Sequence, residues 1–407
     1  MPRGVDRQLR ELEPMSAVTA STATTAEPLN LAFLGDPNSV HLRRWVSYFA
    51  ARGHTVTMLV REGKEVEPGL PPAIAVERFS HFAARGRVTP TGLLKGRRSL
   101  RRAVARIGPD VLNAHFLTVH GWNAWMSGFH PYVVTLWGSD VFIHARKSRA
   151  GAVLARLALR SADMVMVNSE TLMHGALAVG APAERTEMVQ FGVDLTRFMP
   201  GPAPAALRAH LGLEGRRIIF SPRAITPLYR HQIVVEALTR LPSDVVVLMS
   251  RFRGQADEVD KLERLTETLG LADRVVLMPE FEESDIPDLY RMADVVVSVP
   301  ASDSTAATIL EALACGKQIV AGDLPSVREW LWDLDGSALV PIDDVSATAA
   351  ALVRALDRDP MERAELGRRA RAIVETRADQ AATLARVESL YRELAKRSRR
   401  GSAGSRP

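Results

Sequence analysis

Arginines, carboxylates and histidines fall at strand ends and turns in this sequence, where side chains can meet a ligand. Arg223 follows the apolar strand Arg217–Ser221, and Arg230 stands at the start of the next helical stretch. Two guanidinium groups so placed can converge on one anion, and the planar fork of Arg suits bidentate binding to phosphate. Asp303 lies in a polar turn, Pro300–Thr305, between the strand Asp294–Val299 and the helix Ala306–Cys315. Glu311 follows about two helical turns on. A turn from the carboxyl end of a strand to the amino end of a helix is where an open α/β sheet binds ligands. The N–H groups of Ser304, Thr305 and Ala306, with the helix dipole, favour an anion there, typically a phosphate. His115 ends the strand Val111–His115 and reads either as a ligand contact or as a satisfied core histidine. Asp140, in Trp137-Gly138-Ser139-Asp140, suits a ligand contact and a helix N-cap equally. His41 and Arg44 follow the loop from Gly35 to Ser39, with a solvated helix face as the alternative.

The elements that must position these residues alternate strand and helix twice. The alternation begins with a strand at Leu29–Leu34 and a helix at Val40–Ala51, without a GxGxxG fingerprint between them, so a dinucleotide site is not indicated. It is interrupted by Gly201-Pro202-Ala203-Pro204 and resumes at Arg217. This predicts an α/β protein with two Rossmann-like parallel-sheet domains facing a cleft, over residues 29–199 and 205–377, joined by a linker at 200–204. Residues 1–28 and the basic, Gly/Ser-rich 397–407 read as disordered extensions.

The run from Ala293 to Trp330 resembles the nucleotide-binding signature of the family 4 (group 1) glycosyltransferases. Glu311, Ala312, Ala314, Gly316, Val320 and Glu329 match that signature, with Asp303 where the family usually has Glu. Asp323, Pro325, Arg328, Glu329 and Trp330 fit a downstream sub-pattern of the same family. Phe191-Gly192-Val193-Asp194, with Phe198 and Pro200, resembles the family's Asn-Gly-Val-Asp run, Phe191 replacing the Asn. The resemblance implies a GT-B fold whose C-terminal helix, residues 378–396, crosses back to the N-domain. It implies transfer of a hexose from a UDP- or GDP-linked donor to a hydroxyl of a carbohydrate or lipid-linked acceptor, with retention and without a metal. No cofactor is expected beyond the nucleotide-sugar co-substrate. Arg223 matches the family's Arg; Arg230 stands for a Lys whose usual Lys-Gly pattern is absent. Both would stabilise the departing diphosphate, with the N–H groups of Ser304 and Thr305. Glu311 would hold the ribose, Asp303 the donor sugar, and Arg251 and Phe281 the base. Gly35 would let the first loop approach the donor. His115 would bond a sugar hydroxyl or the acceptor, and His41, Arg44, Gly138 and Asp140 would form the acceptor-side wall. A nucleotide-sugar epimerase-like enzyme and a non-catalytic binding protein with a degenerate site are the competing readings.

Composition agrees with a soluble globular chain: 407 residues, 46% hydrophobic and 24% charged. No apolar run approaches the roughly 20 residues that span a bilayer, and Met1–Pro28 has no signal-peptide core. The single Cys315 excludes an intramolecular disulfide and a Cys-cluster metal site. The net charge of +5 is uneven. From Arg85 to Arg106 there are Arg87, Lys95, Arg97, Arg98, Arg101 and Arg102 and no acid, with an apolar stripe at Leu93, Leu94, Leu100 and Val104. Such a helix can lie on an anionic membrane through Arg97, Arg98, Arg101 and Arg102, or grip an acidic acceptor; a solvated face is the alternative. Nucleic acid is not expected, because interleaved aromatics are missing. The expected location is the cytoplasm, with peripheral association at the inner face of the membrane as the alternative if that helix docks there.

Overall fold

The computed structural model describes residues 27–403 except 81–82, 85–86, 89, 144–147, 252–253, 279–282 and 335–337. Phe281 therefore lies outside the described residues. The first half forms β1 (Asn30–Leu34), β2 (Thr55–Arg61), β3 (Ile74–Phe79), a short antiparallel pair β4 (Ala83–Ala84) and β5 (Arg87–Val88), then β6 (Val111–His115), β7 (Tyr132–Thr135), β8 (Met164–Val167) and β9 (Thr186–Met188). Apart from the short pair, these strands make one parallel sheet in the order β3-β2-β1-β6-β7-β8-β9. The second half forms β10 (Arg217–Ser221), β11 (Val245–Ser250), β12 (Val275–Met278), β13 (Val295–Ser298), β14 (Gln318–Gly322) and β15 (Leu339–Val340). Their order is β12-β11-β10-β13-β14-β15, again parallel. Strands such as Val-Val-Val-Leu-Met-Ser are buried along their whole length, as a sheet covered by helices on both faces requires.

In both sheets the strand order reverses at the first strand. β1 pairs with β2 and β6, and β10 with β11 and β13. Helices leave on opposite faces at such a point, and a crevice opens at the carboxyl ends of the strands. The helices Pro90–Ile107 and Arg149–Ser161 pack on one face of the first sheet; Val40–Ala51 packs on the other.

The C-terminal helix, Gln380–Ala403, does cross back. Leu384, Val387, Leu390 and Tyr391 join the core beside Phe33 and Phe49, and the rings of Phe49 and Tyr391 stack at 5.5 Å. Buried Glu388 accepts from Arg52 Nε at 2.6 Å and Arg392 Nη2 at 2.8 Å, so the helix is pinned by charge as well as packing. Helix continues through Ala403, which corrects the reading of a disordered tail from residue 397. The apolar stripe of Pro90–Ile107 also differs from expectation. Leu100 and Val104 are buried, whereas Leu93 and Leu94 stand exposed among the basic residues. Among the described residues no helix is long and apolar enough to cross a membrane.

Candidate active site

The carboxyl ends of the two sheets enclose one cavity of about 890 Å³, lined from both domains. Its C-domain wall is the turn after β10, with Arg223 and Tyr229, and the turn after β13, with Asp303, Ser304, Thr305 and Ala306. Arg223 and Asp303 form an ion pair, Nη2 to Oδ2 at 2.9 Å, with side chains only 10% and 13% exposed. Arg223 Nη1 donates to Thr308 Oγ1 at 3.1 Å, and the guanidinium lies 4.0 Å over the Tyr229 ring. His231 fixes the backbone of this corner, its Nε2 lying 3.1 Å from the Arg223 carbonyl, and burial pushes its imidazole down to about 4. A neutral ring with a carbonyl at Nε2 carries its proton there and donates. Burial raises the Asp303 carboxyl above the usual range, an effect that Arg223 and the Ser304 N–H offset only in part.

The N-domain wall carries Gly35, His41, His115, Phe116, Thr118, Val119 and Trp137. The His41 ring stacks on Trp137 at 4.6 Å, and Trp137 packs on Phe191 at 4.1 Å, so the Phe that replaces the family's Asn builds an aromatic floor. Burial, with smaller contributions from His120 and His41, pushes the His115 imidazole down to about 3, so it meets the cavity neutral.

Several expected residues have other positions. Asp140 is fully buried, absent from the cavity wall, and works from beneath it. Its carboxylate accepts from the backbone N–H of Leu117 at 2.8 Å, Gly138 at 2.8 Å, Val141 at 3.1 Å and Trp137 at 3.2 Å. It thus holds the turn in which Phe116 and Val119 take positive φ (86° and 70°), a strained backbone for non-glycine residues. Gly138 has φ 107°, and a Cβ there would come 2.8 Å from Ser304 Oγ. Its lack of a side chain lets the N-domain turn touch the Asp303–Thr305 loop directly. Ser304 Oγ donates to the Trp137 carbonyl at 2.9 Å and Thr305 Oγ1 to the Asn168 carbonyl at 2.6 Å. Glu329 completes the seam, accepting from the N–H groups of Glu170 and Thr171 at 3.1 and 3.2 Å.

Arg44, read as acceptor-side, instead reaches across to the C-domain. Its two Nη atoms lie 3.4 Å from Glu311 Oε1, while Tyr290 OH donates to Oε2 at 3.1 Å. Burial pushes the Glu311 carboxyl upward, and Arg44 offsets part of that. Glu311 is 7% exposed and is covered by this contact rather than open to the cavity. Arg230 does not converge with Arg223. It sits in a left-handed conformation (φ 51°) and pairs with Asp343, away from the cavity wall. Arg251 likewise pairs with Glu263 on the surface, and its neighbour Ser250 lines the cavity instead.

The profile "Glycosyl transferase 4-like" matches residues 30–169, and "Glycosyl transferases group 1" matches residues 205–373. The chain belongs to the family 4 (group 1) glycosyltransferases. The chain shares the two-sheet GT-B fold of its structural neighbours. It is 32% identical over 202 residues to a D-inositol 3-phosphate glycosyltransferase of Mycolicibacterium smegmatis, covering 49% of this chain and 46% of that one. The match thus spans about half the length of that relative. A protein of the same description from Mycobacterium sp. (strain KMS) is 27% identical over 389 residues, with 88% and 86% covered. In structure it is similar to sucrose-phosphate synthase from Thermosynechococcus elongatus (TM-score 0.77, 21% identity, 89% and 98% covered). It is also similar to Anabaena HepE in complex with UDP-glucose (TM-score 0.73, 21% identity, 89% and 99% covered).

Sequence reasoning missed several residues of the cavity wall: Tyr229, Thr308, Arg61, Lys64, Thr118 and Asn123. Tyr229 and Thr308 fall within signals already singled out, one beside Arg230 and one between Asp303 and Glu311. Arg61 and Lys64 follow a strand end, which was the available cue. Asn123 is buried, and its Nδ2 has no hydrogen-bond partner among the described residues, a property invisible in sequence.

Proposed function

We propose that this protein transfers a hexose from a UDP- or GDP-linked sugar to a hydroxyl of a carbohydrate or lipid-linked acceptor, with retention and without a metal. The observation that carries the reading is the cavity at the facing strand ends. It brings Arg223 and the Asp303–Ala306 turn opposite His41, His115 and Trp137. The UDP-glucose bound by HepE, a structural neighbour, fits the same reading.

Cleaving a sugar–diphosphate bond leaves charge on the departing diphosphate, which must be stabilised more in the transition state than in the bound donor. Arg223 supplies a fixed cation, its direction set by Asp303, Thr308 and Tyr229. The N–H groups at the start of the Ala307–Ala314 helix add oriented dipoles, so little reorganisation is needed as charge develops. In this account Asp303 both orients Arg223 and accepts from the donor sugar. Glu311 takes the ribose hydroxyls once Arg44 gives way. Neutral His115 contributes a hydrogen bond and no charge. Arg230 and Arg251 take no part. The acceptor enters from the side of Arg61, Lys64, Thr118 and Asn123, with His41 nearby, and attacks from the face the diphosphate leaves. The exposed Arg97, Arg98, Arg101 and Arg102 supply contact with an anionic membrane, which suits a lipid-linked acceptor.

The test is incubation with a panel of UDP- and GDP-hexoses in excess EDTA, reading nucleotide release and sugar products. Release from at least one donor, unchanged by EDTA, is expected. Epimerised sugar without transfer, or activity that needs added magnesium or manganese, contradicts the proposal.

A further inference from the structure

The positive charge of this chain is concentrated in one stretch. Between Arg78 and Ala162 lie fourteen lysines and arginines against two acids, Asp110 and Asp140, although the whole chain nets only +5. Neither acid offsets the excess at the surface. Asp140 is buried among backbone N–H groups, and Asp110 is paired with Arg399.

The fold sets two helices of this stretch on the same sheet face. Pro90–Ile107 turns Leu100, Ala103 and Val104 inward, Arg149–Ser161 turns Ala155, Ala158 and Leu159 inward, and all six enter one core. The short helix Trp122–Ser127 packs against both, and Arg97 Nε donates to its Met126 carbonyl at 3.1 Å. The outward stripes are alike. Leu94, Arg97, Arg98, Arg101 and Arg102 share one face of the first helix by their spacing of three and four. Arg149, Val153, Arg156, Leu157 and Arg160 repeat that pattern on the second. Leu94 is 48% exposed, Val153 58% and Leu157 41%. The second helix also packs on the turn Leu117–Gly121, whose Val119 is exposed and lines the cavity.

We propose that these two helices form one docking surface for an anionic lipid bilayer, adjoining the N-domain side of the cavity. Large apolar side chains interleaved with arginines fit a bilayer, which accepts charge at its headgroups and hydrocarbon just beneath. A nucleic acid would reward the charge but not the aliphatic side chains, and these stripes present no aromatic platform for bases. The docking stands on surface chemistry alone; that it delivers an acceptor to the cavity rests on the glycosyltransferase reading.

The experiment is co-sedimentation of the full chain with vesicles of phosphatidylglycerol and phosphatidylcholine, against phosphatidylcholine alone, over a salt series. Three variants are compared: Arg97, Arg98, Arg101 and Arg102 to Gln; Arg149, Arg156 and Arg160 to Gln; and Val153→Ser with Leu157→Ser. The substituted side chains are exposed, so circular dichroism and melting curves should match wild type. At low salt the three-arginine set should lower partitioning onto the anionic vesicles about a hundredfold, and the four-arginine set roughly five times more. The Ser variant should lose the binding that persists at high salt. Wild-type protein that ignores anionic vesicles overturns the proposal. Unchanged binding by the Arg149, Arg156 and Arg160 variant removes the second helix from it. Tighter binding to a double-stranded DNA fragment than to vesicles, indifferent to Val153 and Leu157, makes the surface a polyanion site instead. UDP binding by calorimetry should be the same in all variants, which separates failure of the docking from failure of the functional reading.

Discussion

Replacing Arg223 by Ala removes one half of a buried ion pair and leaves the other behind. Asp303 is 13% exposed at its side chain and would keep only the Ser304 N–H at 2.9 Å as a partner. Breaking a buried pair from one side costs roughly 3–5 kcal/mol, because the remaining charge is desolvated and uncompensated. Burial already holds the Asp303 carboxyl above its usual range, and loss of Arg223 raises it further. A carboxyl raised in the folded state binds a proton that the unfolded chain has released, so its contribution to stability is present at low pH and lost as pH rises through the folded value. The penalty of Arg223→Ala should therefore be larger at pH 8 than at pH 5. Asp303→Asn added to Arg223→Ala should restore stability to within about 1 kcal/mol of wild type, since no buried charge is stranded. Turnover should not return, because the cation facing the diphosphate is still missing; a loss on the order of 10²–10³ in kcat is expected for Arg223→Ala, and at least as much for the double variant, which also alters the Asp303 contact to the donor sugar. Urea unfolding at the two pH values, with nucleotide release under saturating donor, reads both quantities. If Asp303→Asn fails to rescue the fold, the pair does not carry the stability assigned to it. If it rescues turnover, Arg223 serves only the fold.

Arg44→Ala should lower thermal stability by uncovering the Glu311 carboxylate, yet tighten UDP at least threefold by calorimetry, since the ribose would no longer compete with a guanidinium; weaker binding would make Arg44 a nucleotide contact. Gly138→Ala must fit a side chain at φ 107° against Ser304, so a loss of roughly 1–3 kcal/mol and a raised donor KM are expected; an unchanged melting temperature would refute the close approach. His115 and His231 are held at about 3 and about 4, below the ordinary 6.5. Between those values the unfolded chain binds more protons, so stability should rise with pH up to about 6.5. Denaturant midpoints from pH 4 to 7 check this, and His115→Gln should flatten the slope.

The fold was legible in the sequence because parallel strands buried on both faces read as short apolar runs, and the Gly201–Pro204 linker parts the two alternations. Turns were legible for the same reason. Arg223, Asp303 and His115 each end a strand or follow one, and a strand end in a doubly wound sheet points toward the crevice. What was not legible is direction across the cleft. Arg44 is one helical turn past the first loop, yet its reach to Glu311 depends on how the two domains meet, a long-range relation that periodicity does not encode. Asp140 stands in the right turn but points under it, since four backbone N–H groups outcompete solvent for its carboxylate. Nearness in sequence to Arg223 does not bring Arg230 beside it. The turn Pro227–Tyr229 sends it toward Asp343 and presents the Tyr229 ring to Arg223 instead.

On the proposed function, a nucleotide diphosphate sits between Arg223 and the Asp303–Ala306 turn. A crystal structure of the protein with UDP tests it most directly. Diphosphate oxygens are expected at the N–H groups of Ser304–Ala306 and at Arg223, ribose hydroxyls on Glu311, and Arg44 displaced from that carboxylate. UDP bound elsewhere, or bound with Arg44 still on Glu311, would contradict it.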